Sequence, residues 1–128
     1  MQEAARRTVQ QGVQQDVQQG VRQGGDRGAV RVVLWCRATG ADVEAVESAY
    51  HRVSATLAGT PGLLGNELLR SAVEPDVFAV MSEWEDMAAF TAWERGPDHR
   101  DATAPLRGYQ EPHRGRSFDL FQKVAGYS

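Results

Sequence analysis

Two apolar stretches, Leu63 to Ser71 and Val77 to Trp84, are joined by only five residues, Ala72-Val-Glu-Pro-Asp76. Nothing constrains the fold of this chain more. Parallel strands need a crossover of a dozen residues or more. A link this short, carrying Pro75 and Asp76, therefore predicts an antiparallel hairpin. A hairpin alone is marginally stable, so its flanks must complete a sheet. Upstream, Val30-Arg-Val-Val-Leu-Trp-Cys-Arg-Ala38 is β-branched and aromatic and reads as a first strand. Thr39-Gly-Ala-Asp42 then supplies a helix start, with Asp42 as the expected cap. Val43, Val46, Tyr50, Val53 and Leu57 recur at helical spacing, and Gly59-Thr-Pro-Gly62 stops the helix.

Downstream of the hairpin, Glu85 and Asp86 suit the positive end of a helix dipole. Met87, Phe90 and Trp93 fall on one side of that helix, and Gly96-Pro97 ends it. Asp98 to Leu106 is expected as a further short helix, ended by Pro105 or Gly108. Tyr109 to Gly115 reads as loop. Arg116 to Val124 reads as the last strand, with Phe118, Leu120, Gln122 and Val124 on one face and Phe121 on the other. The order is that of an α+β, ferredoxin-like βαββαβ plan, an antiparallel sheet with its helices on one face. If its open face is apolar, a twin subunit is the simplest cover. In the first strand Val30, Val32, Leu34 and Cys36 share one face. Arg31, Val33, Trp35 and Arg37 share the other, whose mixture of charge and aromatic ring suits a cavity wall or an interface.

The chain has 128 residues and a net charge of −3, which favours neither nucleic acid nor an anionic membrane as partner. Residues 1–28 repeat Val-Gln-Gln-Gly-like units from Val9, Val13, Val17 and Val21. A four-residue period drifts by about 40° per repeat around a helix, and Gly12, Gly20, Gly24 and Gly25 oppose helix formation. These residues are expected to be a disordered tail before a domain at residues 29–128. The single cysteine, Cys36, forms no internal disulfide and fits a reducing cytoplasm. No apolar run reaches the ~18–20 residues of a membrane span, and the start lacks the apolar core of a secretory signal. His51, His99 and His113 show no metal-ligand spacing, and no Gly-rich phosphate loop is present.

Ser82-Glu-Trp-Glu-Asp-Met-Ala-Ala-Phe-Thr-Ala-Trp-Glu-Arg-Gly-Pro-Asp-His-Arg100 carries a strand-ending Trp, a helical Ala-Phe-x-x-Trp and a Gly-Pro-x-His-Arg turn. With Thr60-Pro-Gly-Leu-Leu-Gly65 and Thr103-Ala-Pro-Leu-Arg-Gly-Tyr109, it resembles the antibiotic biosynthesis monooxygenase family from about Val30 to Val124. The resemblance implies a dimeric α+β barrel with one cavity per subunit, between helices and sheet. It also implies a function within a broad family of polyketide oxygenases, haem-degrading enzymes and small-quinol oxygenases. The last block looks most like the polyketide members. Their cofactor-free chemistry deprotonates an electron-rich phenol or anthrone and passes an electron to O₂ in a closed pocket.

By that resemblance Trp84 lines the pocket, whereas two neighbours depart from the anthrone-oxygenase pattern: Val80 stands for an Asn and Phe90 for a Tyr. The haem-degrading set of Asn, Trp and His reads Cys36, Trp93 and Thr103 here, so haem ligation loses its support. His99 and Trp84 are the expected catalytic residues, His99 being the titratable one because imidazole titrates near neutrality. Trp35, Arg37, Phe90, Trp93, Arg100, Arg107 and Tyr109 are the expected substrate-binding residues. The two arginines of the last helix are suited to a carboxylate or enolate. Tyr50 is expected in the core, His51 and His113 at the surface, and Cys36 as a buried inert thiol. The expected function is a cofactor-independent monooxygenase oxidising an aromatic polyketide intermediate of anthrone or naphthol type with O₂. A non-catalytic polyketide-binding protein, or a cyclase, on the same fold is the alternative.

Overall fold

A computed structural model describes residues 28–128. The tail expected over residues 1–28 lies outside the described residues, save Gly28. In chain order the elements are β1 (Val30–Arg37), α1 (Asp42–Leu57), β2 (Leu63–Arg70), β3 (Val77–Trp84), α2 (Met87–Glu94), α3 (His99–Arg107) and β4 (Asp119–Gln122). The strands form one antiparallel sheet in the order β2-β3-β1-β4. This is the ferredoxin-like α+β plan, with three helices among the described residues in place of two. No helix among the described residues is long and apolar enough to cross a membrane.

The central β1–β3 pair organises the interior. On its helix-facing side the pairs run Val30↔Trp84, Val32↔Ser82, Leu34↔Val80 and Cys36↔Phe78. The two end pairs each seed a core. Cys36 and Phe78 join Val46, Ala49, Val53 and Leu57 of α1 and Ala102 and Leu106 of α3. Val30 and Trp84 join Phe90 of α2. Burial of one such large side chain stabilises the fold by about 1.5–3 kcal/mol. The Cys36 thiol lies inside the first core, and burial pushes its pKa up to about 11.

Several local features differ from expectation. Asp42 is the first helical residue of α1 rather than its cap. Ala41 holds the cap position and makes no side-chain cap bond, so α1 is held by its buried face. Asp86, by contrast, caps α2: its carboxylate accepts from the Ala89 amide at 2.8 Å. Of the two expected stops, Gly108 ends α3, and Pro105 lies inside a helix that runs through to Arg107. Proline costs a helical bond, but burial of Ala102 and Leu106 against α1 holds the turn in place. The last strand is four residues long, not nine. Its missing half has been displaced from the edge of β1. There the Arg37 amide donates to the Tyr109 carbonyl at 3.0 Å, and the Glu111 amide donates to the Trp35 carbonyl at 2.8 Å. Segment 109–111 thus takes the edge that a longer β4 would need. A tight turn at His113–Arg116, with positive φ at Arg114 and Gly115, returns the chain to β4.

The turn before β2 is pinned at Gly62, whose φ is +83° and whose carbonyl accepts from the Glu85 amide at 2.8 Å. A Cβ there would collide with Ala89 of α2. Gly62→Ala therefore adds a left-handed strain to an overpacking cost of about 1–3 kcal/mol. Asp86→Ala forfeits one cap, about 1 kcal/mol. Urea unfolding should rank Gly62→Ala as the more damaging, and the reverse order would refute the contact. The buried thiol gives a second test. With a pKa near 11 about one thiol in a thousand is ionised at pH 8. Cys36 should resist a thiol reagent in the folded protein and react at once when unfolded, and rapid labelling of folded protein would contradict its burial.

Candidate active site

Between the two cores the β1–β3 face carries smaller side chains, Val32 beside Ser82 and Leu34 beside Val80. The helices cannot close down on them, because large residues at both ends prop the layers apart. The result is a small cavity of about 90 Å³, below the usual ligand-pocket range of ~300–1,000 Å³. Val32, Leu34, Val80 and Phe118 line its sheet side, and Val53, Leu57, Phe90, Trp93 and Leu106 its helix side. Its polar lining comes from Ser54, Asn66, Ser82, His99 and Thr103. Its lining is mainly apolar with a few polar groups, the composition of a small-molecule site.

The aromatic wall is continuous. Trp84 and Trp93 ring centroids lie 5.2 Å apart, Trp84 and Phe90 5.6 Å, and Phe90 and Phe118 5.9 Å. His99 meets Trp93 edge-on at 4.6 Å. The indole thus bounds one side of the imidazole. His99 opens α3 directly after the Gly96-Pro97 turn, which is how the sequence brings it to the cavity mouth.

Of the residues expected from sequence, His99, Phe90 and Trp93 meet at this cavity. Trp84 is placed differently: it is fully buried behind the lining, and its indole donates to Ser82 Oγ at 3.0 Å. Arg100 and Arg107 are exposed on α3. The Arg107 guanidinium folds back on its own helix, donating to the Arg100 carbonyl at 2.9 Å and Thr103 Oγ1 at 3.1 Å. Tyr109 packs against the first core, beyond α3. Neither arginine nor Tyr109 lines the cavity.

Trp35 and Arg37 lie on the opposite face of the sheet, because strand alternation turns them away from Leu34 and Cys36. Arg37 pairs with Glu111 at 2.9 Å and Asp76 at 3.1 Å. Trp35 stacks near His113 and donates to Asp119 Oδ2 at 2.9 Å. Asp119 is 5% exposed. The Trp35 indole and the Arg116 guanidinium beside it hold its carboxyl below the usual carboxylate range. That face therefore carries a built polar cluster, apart from the cavity.

Sequence reasoning passed over Asn66 and Ser82. Asn66 Oδ1 accepts from Tyr50 Oη at 2.6 Å and from Ser54 Oγ at 2.9 Å. Tyr50 and Ser54 sit four residues apart on α1, one turn, and so reach the same atom. That i, i+4 spacing of hydroxyls opposite a strand Asn was the available signal. Among the described residues, no three His, Cys, Asp or Glu side chains gather as metal ligands.

A ferredoxin-like sheet with a cavity beneath its helices sets the chain among small α+β proteins of that fold. Within it the chain belongs to the antibiotic biosynthesis monooxygenase family, whose model matches residues 30–105. It is 29% identical over 100 residues to protein SchA of Streptomyces halstedii, covering 78% of this chain and 26% of that protein. It is 33% identical over 81 residues to a 42.8 kDa protein in the whiE locus of Streptomyces coelicolor, covering 63% of this chain and 20% of that one. The chain thus spans about a quarter or less of the curated relatives it matches. In fold it is similar to SnoaB, a cofactor-independent oxygenase from Streptomyces nogalater. Their TM-score is 0.62 at 23% identity, covering 77% of this chain and 96% of SnoaB.

The Asp119 cluster makes a pH prediction. Its native pKa is lowered, so its stabilising contribution is complete above the unfolded carboxylate value, about 3.9. The contribution is lost as pH falls through the lower native value. The stability gap between wild type and Asp119→Asn, read from urea unfolding, should be constant near neutrality and narrow below about pH 4. A gap that is the same at pH 3 and pH 7 would refute the assignment.

Proposed function

We propose that this chain is a cofactor-independent monooxygenase that oxidises a polycyclic aromatic polyketide intermediate, of anthrone or naphthol type, with O₂ as co-substrate. The observation that carries the reading is the cavity itself, apolar, walled by Phe90, Trp93 and Phe118, with the His99 imidazole on its lining. Membership of the monooxygenase family and the fold shared with a cofactor-independent oxygenase support it.

In this reading the ring system lies against the aromatic wall. His99 accepts a proton from the activated ring carbon. The resulting carbanion, delocalised onto the neighbouring oxygen, gives one electron to O₂. The radical pair combines to form a C–O bond, and proton return gives a hydroperoxide. Loss of the remaining C–H proton with cleavage of the O–O bond releases water and leaves a carbonyl, so CH₂ and O₂ become C=O and H₂O. The substrate is oxidised by four electrons and O₂ is reduced by four. Exclusion of water by the apolar lining protects the carbanion.

The reading includes a homodimer whose second copy covers the outer sheet face. Phe121 and Leu69, 58% and 40% exposed there, support it. A second reading, a non-catalytic or cyclase-type polyketide-binding protein, is favoured by Val80 and Phe90, which line the cavity with hydrocarbon where anthrone-oxygenase relatives carry polar groups. An oxygen electrode separates the two. Purified metal-free protein given anthrone should consume O₂ and form the quinone faster than buffer. His99→Gln should lower kcat by about 10²–10⁴-fold. Binding of anthrones or naphthols without O₂ uptake would sink the oxygenase reading in favour of the second.

A further inference from the structure

Asn66 and Ser82 are Cα partners across the β2–β3 ladder, and both line the cavity. Their side chains are therefore neighbours on one face. Each has its accepting atom already engaged by a fixed donor. Asn66 Oδ1 takes the hydroxyls of Tyr50 and Ser54, at 2.6 and 2.9 Å. Ser82 Oγ takes the indole N–H of the buried Trp84 at 3.0 Å. A primary amide whose oxygen is held turns its NH₂ the opposite way, and a hydroxyl that accepts keeps its own proton to give. Among the described residues nothing accepts from Asn66 Nδ2 or from the Ser82 hydroxyl. Two neighbouring donors thus remain unspent on a lining whose other polar residues are Ser54, His99 and Thr103. Both residues are half-buried, so an acceptor that enters the cavity can meet both donors.

We propose that Asn66 and Ser82 form a two-donor cradle for one oxygen of an aromatic ring ketone or phenol. The cradle deepens the oxygenase reading and rests on it for the enolate. The oxygen is carbonyl-like in the bound substrate and gains negative charge when the adjacent ring carbon loses its proton. Oriented donors stabilise that charge more than they stabilise the neutral carbonyl. Tyr50, Ser54 and Trp84 are positioning residues: the first two set the amide, and Trp84 sets the hydroxyl. A role for Trp84 through Ser82 accounts for a tryptophan that is buried behind the lining and absent from its surface. The cradle also supplies hydrogen-bond donors from β2 and β3 in a cavity where Val80 and Phe90 supply none.

The test uses two probes, anthrone for turnover and anthraquinone for binding. Anthraquinone has the ring carbonyl but no carbon-bound proton to lose at that position. Ser82→Ala and Asn66→Leu should each weaken anthraquinone binding about tenfold and lower kcat/KM for anthrone about 10²-fold, with unchanged circular dichroism. Asn66→Asp, of the same shape but without amide protons, carries the test if the leucine variant fails to fold. Ser82→Thr, which keeps the hydroxyl, should restore binding. Tyr50→Phe and Trp84→Phe should lower kcat for anthrone more than they raise KM. Unchanged anthraquinone binding in folded Ser82→Ala and Asn66→Asp overturns the cradle, whether or not anthrone is oxidised. Weakened binding in both, with no O₂ uptake by wild type, upholds the cradle and removes only the oxygenase reading.

Discussion

The β1–β3 ladder governs the rest of the molecule. Its end pairs on the helix side, Val30↔Trp84 and Cys36↔Phe78, are buried and seed the two cores. Its middle pairs, Val32↔Ser82 and Leu34↔Val80, are too small to fill the space that the end pairs set. Close packing would demand that such a gap collapse. It does not, because α1 and α3 rest on one core and α2 on the other. The cavity is therefore a property of one ladder: bulk at both ends and small residues between.

The same ladder divides the chemistry between the two faces of the sheet. The helix side receives hydrocarbon, aromatic rings and a few oriented polar groups. The outer side receives Trp35, Asp119 and Arg116, a carboxylate buried by an indole and satisfied by a guanidinium. Asp119 would be costly to bury alone, since an unpaired charge in a poorly hydrated site is penalised. Its partners come from β1 and the turn before β4, so the cluster also locks the last strand to the sheet centre.

Much of the fold was legible in the sequence. The five-residue link at Ala72–Asp76, the helical stripe from Val43 to Leu57 and the Gly96-Pro97 break each act over short range, and each appears as read. The errors share one cause. Asp42 as a cap, Pro105 as an alternative to Gly108 for the stop, and a nine-residue last strand were local readings of places where long-range contacts decide. Burial against α1 carried α3 through its proline. Segment 109–111 occupied the edge of β1 and cut β4 to four residues. Of the expected residues, Phe90, Trp93 and His99 do line the cavity, because a short helix and a tight turn place them together. Arg100, Arg107 and Tyr109 were drawn from the same segment but face elsewhere.

The sequence by itself determined the periodicities, hence the element order, the two faces of β1 and the aromatic wall. Those depend on alternation and helical pitch, which the chain carries locally. Only the tertiary structure decided which face of the sheet holds the cavity, that Trp84 lies behind its lining, and that Asn66 meets Tyr50 and Ser54. Alternation distinguishes two faces but does not say which one the helices will cover. A hydrogen bond between α1 and β2 exists only once the turn at Gly62 has brought them together.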